Sequence, residues 1–582
     1  MAPDSTPREP ERSLPSYSEP PLREKRRLHL DREEIAERDL KGTVFGRDVR
    51  GFLIALFLVT ITLPALVQFA AELRAGRGFP SFDFLRTLPK WQRIHAARNP
   101  ADFWNLAPQA DDIRDFEKGI EKGSVISRWL LPHVQNVLTG ALGAGNEQAY
   151  PGRSGWLFYR PDVEYTLGPP FLAPDQLARR AGNSKVRPDP LPAILDFRDQ
   201  LKAHSIELVV FPVPAKPVLD GWMLWPRANP YLTRQNPSFE EFKARLAAAG
   251  VRVFDPTQSL IDQRTDSGYE VPYYLRTDTH WQPNAMEFVA RQLAAFVEPQ
   301  AKPGTNFTLT ERKVAALGDI ALMLKLPAGQ TIYQPQTVTI HQVNVGNAPW
   351  RATPTADVLL LGDSFSNIYS LEGMGWGESA GFAEHLSYTL GKPIDAILRN
   401  SDGSFATREI LSRELARGRD RLVGKKVVVW EFASRELSAG NWKLLPMTLG
   451  QMPESRFFHP TPGGSYALTG TVQMVSSVPL PGSVPYKDHI LTVQLADLTP
   501  LAAGAAPPGK KTPVGMLQAL VYLQSMRDNV WTPAARLRPG DQVTVRLRAW
   551  SDVAAQYEKI NRSEPDDPAL QLEEPVWGEL EK

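Results

Sequence analysis

The run Val358-Leu359-Leu360-Leu361-Gly362-Asp363-Ser364-Phe365-Ser366 decides how this sequence reads. Four consecutive apolar residues without polar alternation suit a short strand covered on both faces, as in a parallel sheet. Gly362 then permits a tight turn, and Gly-Asp-Ser stands at the carboxyl end of the strand, where open α/β sheets collect their ligands. Ser364 is therefore a candidate nucleophile, and its backbone amide, if it opens a helix, is a candidate oxyanion donor. Taken alone, the same tripeptide also reads as an ordinary strand-to-helix turn with Asp363 or Ser364 as N-cap.

Working outward, the pattern of helix followed by buried strand recurs. A helix over 191–203 that buries Leu191, Ile194, Leu195 and Leu201 precedes the run Ile206-Glu207-Leu208-Val209-Val210-Phe211. A second helix over 237–249 opens at Pro237-Ser238, carries Glu240 and Glu241 in its first turn, closes at Gly250, and leads into Val251-Arg252-Val253-Phe254. Val427-Val428-Val429-Trp430 is a further buried run, and Ile394-Asp395-Ala396-Ile397-Leu398 is strand-like. This alternation predicts a three-layer α/β domain with a mainly parallel sheet over 151–450.

After residue 455 the texture changes. His489-Ile490-Leu491-Thr492-Val493-Gln494-Leu495 and Gln542 to Trp550 alternate with period two between Pro-Gly turns at 481, 508 and 539. That patterning predicts a small antiparallel β-domain, sandwich or barrel, over 455–582, suited to binding a glycan or a partner. Its Trp531, Trp550 and Trp577 fit either sugar stacking or a core.

The chain is 582 residues long, too long for one hydrophobic core. Residues 51–71, GFLIALFLVTITLPALVQFAA, hold no charge and are long enough to cross the roughly 30 Å hydrocarbon layer as a helix, Pro64 being tolerated there. They lie too far from the N-terminus for a cleaved signal. Arg32, Arg38, Lys41, Arg47 and Arg50 before the span outnumber Arg74, Arg77, Arg86 and Lys90 after it, which favours a cytoplasmic N-terminus. Residues 1–50, rich in Pro, Ser, Glu and Arg, are expected to be a disordered cytoplasmic tail, and 72–150 a helical juxtamembrane segment packing on the α/β domain. A net charge of +1 gives no field to gather nucleic acid, and the absence of cysteine excludes disulfides, thiol nucleophiles and thiolate metal sites.

A serine nucleophile needs a base. His280 sits in Tyr274-Leu275-Arg276-Thr277-Asp278-Thr279-His280-Trp281, ahead of a helix over 284–298. An Asp two residues before a His on a non-helical backbone can bond Nδ1 and leave Nε2 free for the serine proton. The competing reading makes Asp278 or Thr279 a helix cap and His280 a surface residue. A metal site is not expected, because the sequence offers no third ligand beside Asp278 and His280.

Asp278-Thr279-His280-Trp281 followed by Gly362-Asp363-Ser364-Phe365, with the earlier Gly155-Trp156-Leu157-Phe158, resembles the SGNH-hydrolase-like alginate O-acetyltransferases of the AlgJ and AlgX type. Val213-Pro214-Ala215-Lys216 and Val429-Trp430-Glu431-Phe432 with Arg435 resemble further motifs of that family, so the resemblance spans about 110–440. The family has a permuted order, with Asp-x-His before the serine. It implies Ser364 as nucleophile, His280 as general base and acid, and Asp278 as the group that orients the imidazole. It also implies that Asn400 or the Gly403 amide, in Asn400-Ser401-Asp402-Gly403-Ser404, assists the oxyanion, although a plain turn explains that segment equally. Arg276 and Tyr369 are candidates for substrate contact or for structural partners.

The resemblance further implies acetylation of an exopolysaccharide through an acetyl-serine, with no cofactor. A multispanning membrane acetyl exporter would supply the donor, other exopolysaccharide-assembly proteins would be partners, and the chain would be a single-pass protein of the bacterial inner membrane with its catalytic domain in the periplasm. A carbohydrate acetylesterase with the same triad and a non-catalytic glycan-binding scaffold are the alternatives.

Overall fold

The computed structural model describes residues 46–75, 113, 117, 124–182, 186–400, 403–451, 457–479, 481, 484, 486–500, 518–565, 567 and 569–581. Nearly all of the expected tail 1–50, much of the segment 72–150, Ser401 and Asp402, and the turn at Pro508-Gly509 lie outside the described residues. The chain divides into two compact units, 1–131 and 132–582.

In the first unit a helix of 29 residues, Arg47–Ala75, contains the uncharged span and is long and apolar enough to cross a membrane. At 1.5 Å per residue it is about 44 Å long, more than the hydrocarbon layer requires. Pro64 has no N–H to offer the preceding turn. The hydroxyls of Thr60 and Thr62 donate back to the carbonyls of Leu56 and Leu58 at 2.7 and 2.6 Å, which hides two polar groups on an apolar helix.

Among the described residues, all the strands lie in the second unit. β1 (Ala149–Pro151) and β2 (Leu157–Tyr159) form an antiparallel hairpin, and β3 (Glu207–Val213) and β4 (Arg252–Val253) follow. β5 (Phe307–Ala316), β6 (Gln336–Val345) and β7 (Ala348–Pro349) make a separate antiparallel sheet. Next come β8 (Val358–Gly362), β9 (Asp395–Leu398) and β10 (Val427–Ala433). The remainder are β11 (Ser465–Val475), β12 (His489–Pro500), β13 (Ala519–Arg527), β14 (Val530–Trp531), β15 (Gln542–Arg548), β16 (Asn561–Ser563) and β17 (Val576–Leu580).

The central sheet has the order β4-β3-β10-β8-β9 with every pair parallel, as the buried runs predict. Period-two geometry sends Val358 and Leu360 to one face and Leu359 and Leu361 to the other. The first pair joins a core with the helices Pro283–Val297 and Phe382–Leu390, and the second a core with Pro190–Ala203, Phe239–Ala248 and Ala406–Ala416. Both faces are covered, which is why these strands carry no polar alternation. The three-layer α/β domain is as expected.

The C-terminal strands close on themselves. β12 pairs with both β11 and β13, and β13 continues through β17 and β15 back to β11, so five strands form a small barrel with β14 and β16 appended. The barrel is mainly antiparallel, but β13 and β17 run parallel, as do β12 and β16. Trp577 is buried and stacks on Tyr557 with ring centroids 4.0 Å apart, so its ring belongs to the barrel's own packing.

The β5–β7 sheet has no counterpart in the sequence reading. β5 is almost wholly exposed, and its Thr308-Leu309-Thr310-Glu311-Arg312-Lys313 shows neither an apolar run nor clean alternation. β6 supplies the packing instead, through Val338, Ile340 and Val343.

Candidate active site

Because all five central strands run the same way, their carboxyl ends share one edge. There the chain places Ser364 after β8, Asn400 after β9, Arg435 after β10 and Lys216 after β3. The turn that carries Ser364 is over-determined by hydrogen bonds. Asp363 caps the short helix Ser364–Asn367 by accepting the Phe365 N–H at 2.8 Å, and its other oxygen accepts the Ala433 N–H at 2.8 Å. The Asp363 N–H and the Ser366 hydroxyl both donate to Glu431 Oε2, at 2.9 and 2.6 Å. Burial, together with the charge of Asp363, holds the Glu431 carboxyl well above the usual carboxylate range. Gly362 is required for this close approach, since a Cβ there would lie 2.6 Å from Ser366 Oγ and 2.8 Å from Glu431 Oε2.

The loop that carries His280 is framed with equal redundancy. Tyr274 and Trp281 form an antiparallel bridge, and the Leu275 N–H donates to the His280 carbonyl at 3.0 Å, so 274–281 folds back as a tight hairpin. Lys216 is wholly buried and its ammonium donates to the carbonyls of Leu157, Leu275, Arg276 and Asp278 at 2.6, 2.7, 3.0 and 2.9 Å. Burial draws its pKa down to about 7 against the pull of Asp278 and other acidic neighbours. Gly155-Trp156-Leu157-Phe158 and Val213-Pro214-Ala215-Lys216 are thus two halves of one frame around the loop. Below it, Asp220 pairs with Arg264 at 2.6 Å and accepts the N–H groups of Tyr273 and Tyr274, each at 2.8 Å.

Within that frame His280 Nδ1 lies 2.6 Å from Asp278 Oδ1, and the His280 N–H donates to the same oxygen at 3.1 Å. Asp278 Oδ2 accepts the Asp319 N–H at 3.0 Å and the Trp376 indole N–H at 2.9 Å. Burial opposes charge on both partners. The hydrogen bond to His280 nevertheless brings Asp278 down to about 2, and the bond and charge of Asp278 raise His280 above its usual 6.5. His280 Nε2 is buried without a hydrogen-bond partner, which leaves its lone pair free for a proton.

Phe365, next to Ser364, joins the two halves of the site. Its ring centroid lies 4.8 Å from that of His280 and 5.4 Å from that of Trp281, whose indole N–H donates to the Phe365 carbonyl at 3.1 Å. Arg435, ion-paired with Asp162 at 3.1 Å, stands over the same ring at 5.9 Å.

The remaining expected residues separate. Arg276 is exposed and lines an open cleft with Trp156, Glu270, Gln282 and Gln336. Tyr369 is fully buried instead, and its hydroxyl donates to the Trp281 carbonyl at 2.6 Å, bracing the 274–281 loop from inside. Asn400 is buried, its side-chain oxygen accepting from Asn367 at 3.0 Å while its Nδ2 faces Met374 Sδ at 3.6 Å. Gly403 is exposed with φ +79°, the left-handed conformation a turn demands.

Sequence reasoning missed Asp319, which follows β5, and Trp376. It found no third acidic or imidazole group beside Asp278 and His280, whereas Asp319 brings three such groups within 4.8 Å of one another. These atoms already bond within the cluster, Asp278 to His280 and Asp319 to Thr279. One trace was available: Leu317-Gly318-Asp319 repeats the Leu361-Gly362-Asp363 that leads into Ser364.

Residues 149–434 match the family described as SGNH hydrolase-like domain, acetyltransferase AlgX. This segment is an SGNH hydrolase-like domain of the AlgX type. Among curated relatives, the probable alginate O-acetylase AlgJ of Pseudomonas fluorescens is 30% identical over 254 residues, covering 42% of this chain and 60% of that protein, less than two thirds of its length. The AlgJ of Pseudomonas putida is 25% identical over 325 residues, 52% of this chain and 74% of its own. Two solved structures are similar. The O-acetyltransferase domain of Pseudomonas putida AlgJ has 22% identity, covers 50% of this chain and 93% of that one, and gives a TM-score of 0.38. Pseudomonas aeruginosa AlgX has 18% identity, covers 69% and 91%, and gives 0.36. The AlgX-type domain therefore ends where β10 does, and the barrel beyond lies outside the matched segment.

Proposed function

We propose that this chain is a membrane-anchored O-acetyltransferase that acetylates an exopolysaccharide in the bacterial periplasm through an acetyl-Ser364 intermediate. The observation that carries the reading is the Asp278–His280 contact of 2.6 Å with Nε2 left unbonded, on a ring packed against the neighbour of Ser364. Nε2 takes the Ser364 proton as Oγ attacks the acetyl carbonyl, and Asp278 holds the imidazolium that forms. Negative charge develops on the carbonyl oxygen. The Ser364 N–H, which the Asp363 cap leaves unused because it takes the next N–H, is the donor on hand. Collapse expels the donor's leaving group with the proton from His280. A sugar hydroxyl then attacks the acetyl-serine, gives its proton to Nε2, and frees Ser364.

The cleft lined by Arg276 and Trp156 suits the acceptor polysaccharide. No cofactor enters this chemistry. The acetyl group would come from a multispanning membrane exporter, and other exopolysaccharide-assembly proteins would complete the complex. The helix Arg47–Ala75 would hold the enzyme beside them as a single-pass anchor of the inner membrane.

The test is Ser364→Ala in cells and in vitro. Loss of polymer acetylation, with a mass shift of one acetyl on Ser364 in the parent protein given an acetyl donor, is expected, whereas undiminished acetylation by the variant sinks the mechanism. Product analysis decides between transfer and hydrolysis: acetyl on oligosaccharide marks a transferase, free acetate alone an esterase.

A further inference from the structure

We propose that Asp319 is a positioning residue for the acyl-transfer reaction, a second carboxylate that clamps Thr279 and thereby fixes the His280 imidazole against Asp278. The inference rests on the proposed roles of Ser364, His280 and Asp278. Its basis is a hydrogen-bonded dock of the 318–321 backbone onto 277–279. The Gly318 N–H donates to Thr277 Oγ1 at 3.1 Å, the Asp319 N–H to Asp278 Oδ2 at 3.0 Å, and the Ala321 N–H to the Thr277 carbonyl at 3.2 Å. In return Asp319 takes both donors of Thr279, its N–H at 2.8 Å on Oδ1 and its hydroxyl at 2.6 Å on Oδ2. The approach is close enough that a Cβ at Gly318 would fall 2.4 Å from the Thr277 carbonyl and 2.5 Å from the Asp278 nitrogen. Ile320, Ala321 and Leu324, all buried with Ala149 and Leu157, bolt this segment to the β1–β2 hairpin.

The clamp also bears charge. Asp319 Oδ2 lies 3.9 Å from His280 Nδ1, on the side away from Nε2, and the Thr279 hydroxyl sits between them, 3.1 Å from Nδ1. Burial and the charge of Asp278 raise Asp319 to about 7, so the charge it adds depends on pH near neutrality. The other charged or titratable groups facing this cluster include Lys216, Tyr159, Asp162, Asp363 and Tyr369. Of the two carboxylates only Asp278 bonds the imidazole, and Asp319, once ionised, adds a second negative charge behind it. The second carboxylate thus adds its charge to the coupling that the Asp278–His280 pair already has.

The experiment uses the full chain in nanodiscs with p-nitrophenyl acetate as the probe. Ser364→Ala is measured first, and loss of turnover establishes the serine reading independently of Asp319. Asp319→Asn keeps the shape and an acceptor for the Thr279 N–H but removes the charge. Its thermal unfolding is compared with that of the parent, and its rate is followed from pH 5 to 9. The expected result is a folded variant whose rising pH limb moves down by on the order of one unit, with KM unchanged. A folded variant with the parent's limb overturns the inference, whatever its absolute rate. If the variant does not fold, Thr279→Val removes one half of the clamp and leaves the charge. A lower kcat with an unmoved limb then supports the clamp, and parent-like kcat overturns it. Loss of the parent's activity in EDTA with recovery on a divalent cation also overturns it, since the cluster would then be a metal site.

Discussion

At the residue scale the site is a chain of buried polar groups, each justified by a partner. His280 carries a proton to higher pH than an isolated imidazole because Asp278 favours the charged form more than burial opposes it. Turnover, which needs neutral His280, should rise with an apparent pKa above 6.5, and Asp278→Asn should cost roughly four orders of magnitude in kcat. Stability runs the other way. The pairing contributes fully below the unfolded pKa of His280 and is lost as pH rises through the folded one. Asp278, held near 2, loses its share only as pH falls from about 4 toward that value. The pair's stabilisation should be largest between about pH 4 and 6.5, below the activity limb. Unfolding midpoints of parent and Asp278→Asn across pH 3 to 9 check this: equal pH dependence of the two refutes it. The serine and the Asp-x-His were legible because spacing along one segment makes them. Asp319 and Trp376 were not, since each reaches Asp278 across tens of residues.

At the scale of elements, β8 and its turn act as one piece. The strand places Ser364, and Glu431 on the neighbouring β10 locks the turn from below. Gly362→Ala must push its Cβ against Ser366 and Glu431, a penalty of about 1–3 kcal/mol for overpacking. The expected outcome is a modest drop in unfolding midpoint with a disproportionate loss of ester turnover. A variant that loses stability yet keeps parent kcat would show that the turn does not position the nucleophile. The five parallel strands were readable because burial on both faces leaves apolar runs. β5 lies exposed and polar, its pairing with β6 dictated by register rather than composition, and it carries no such signature.

At the scale of the whole 132–582 unit, the barrel is tied to the α/β half at the end of β9. Asn561 in β16 donates its side-chain N–H to the Asn400 carbonyl at 2.6 Å, and Lys559 reaches Ser370 and Glu384 at 2.7 and 3.1 Å. Asn561→Ala leaves a buried carbonyl unpaired, at a cost of about 1–3 kcal/mol. Because Asn367 of the nucleophile helix bonds Asn400, kcat toward a small soluble ester should fall as well. Unchanged kcat with reduced stability would confine the barrel's role to folding.

The sequence by itself determined the membrane-length helix, the parallel sheet, the barrel's alternating strands and the two motifs that hold Ser364 and His280. Each is a local pattern of apolar spacing or of residues a few positions apart, and such patterns survive without knowledge of the fold. Only the tertiary structure decided that Lys216 frames the base, that Tyr369 braces the loop rather than meeting substrate, that Asp319 stands behind the imidazole, and that Asn561 grips Asn400. The physical reason is the same in each case. A buried polar side chain leaves no periodic trace in the sequence, and its partner is fixed by how the strands are ordered in the sheet and by what the connecting segments bring over its edge.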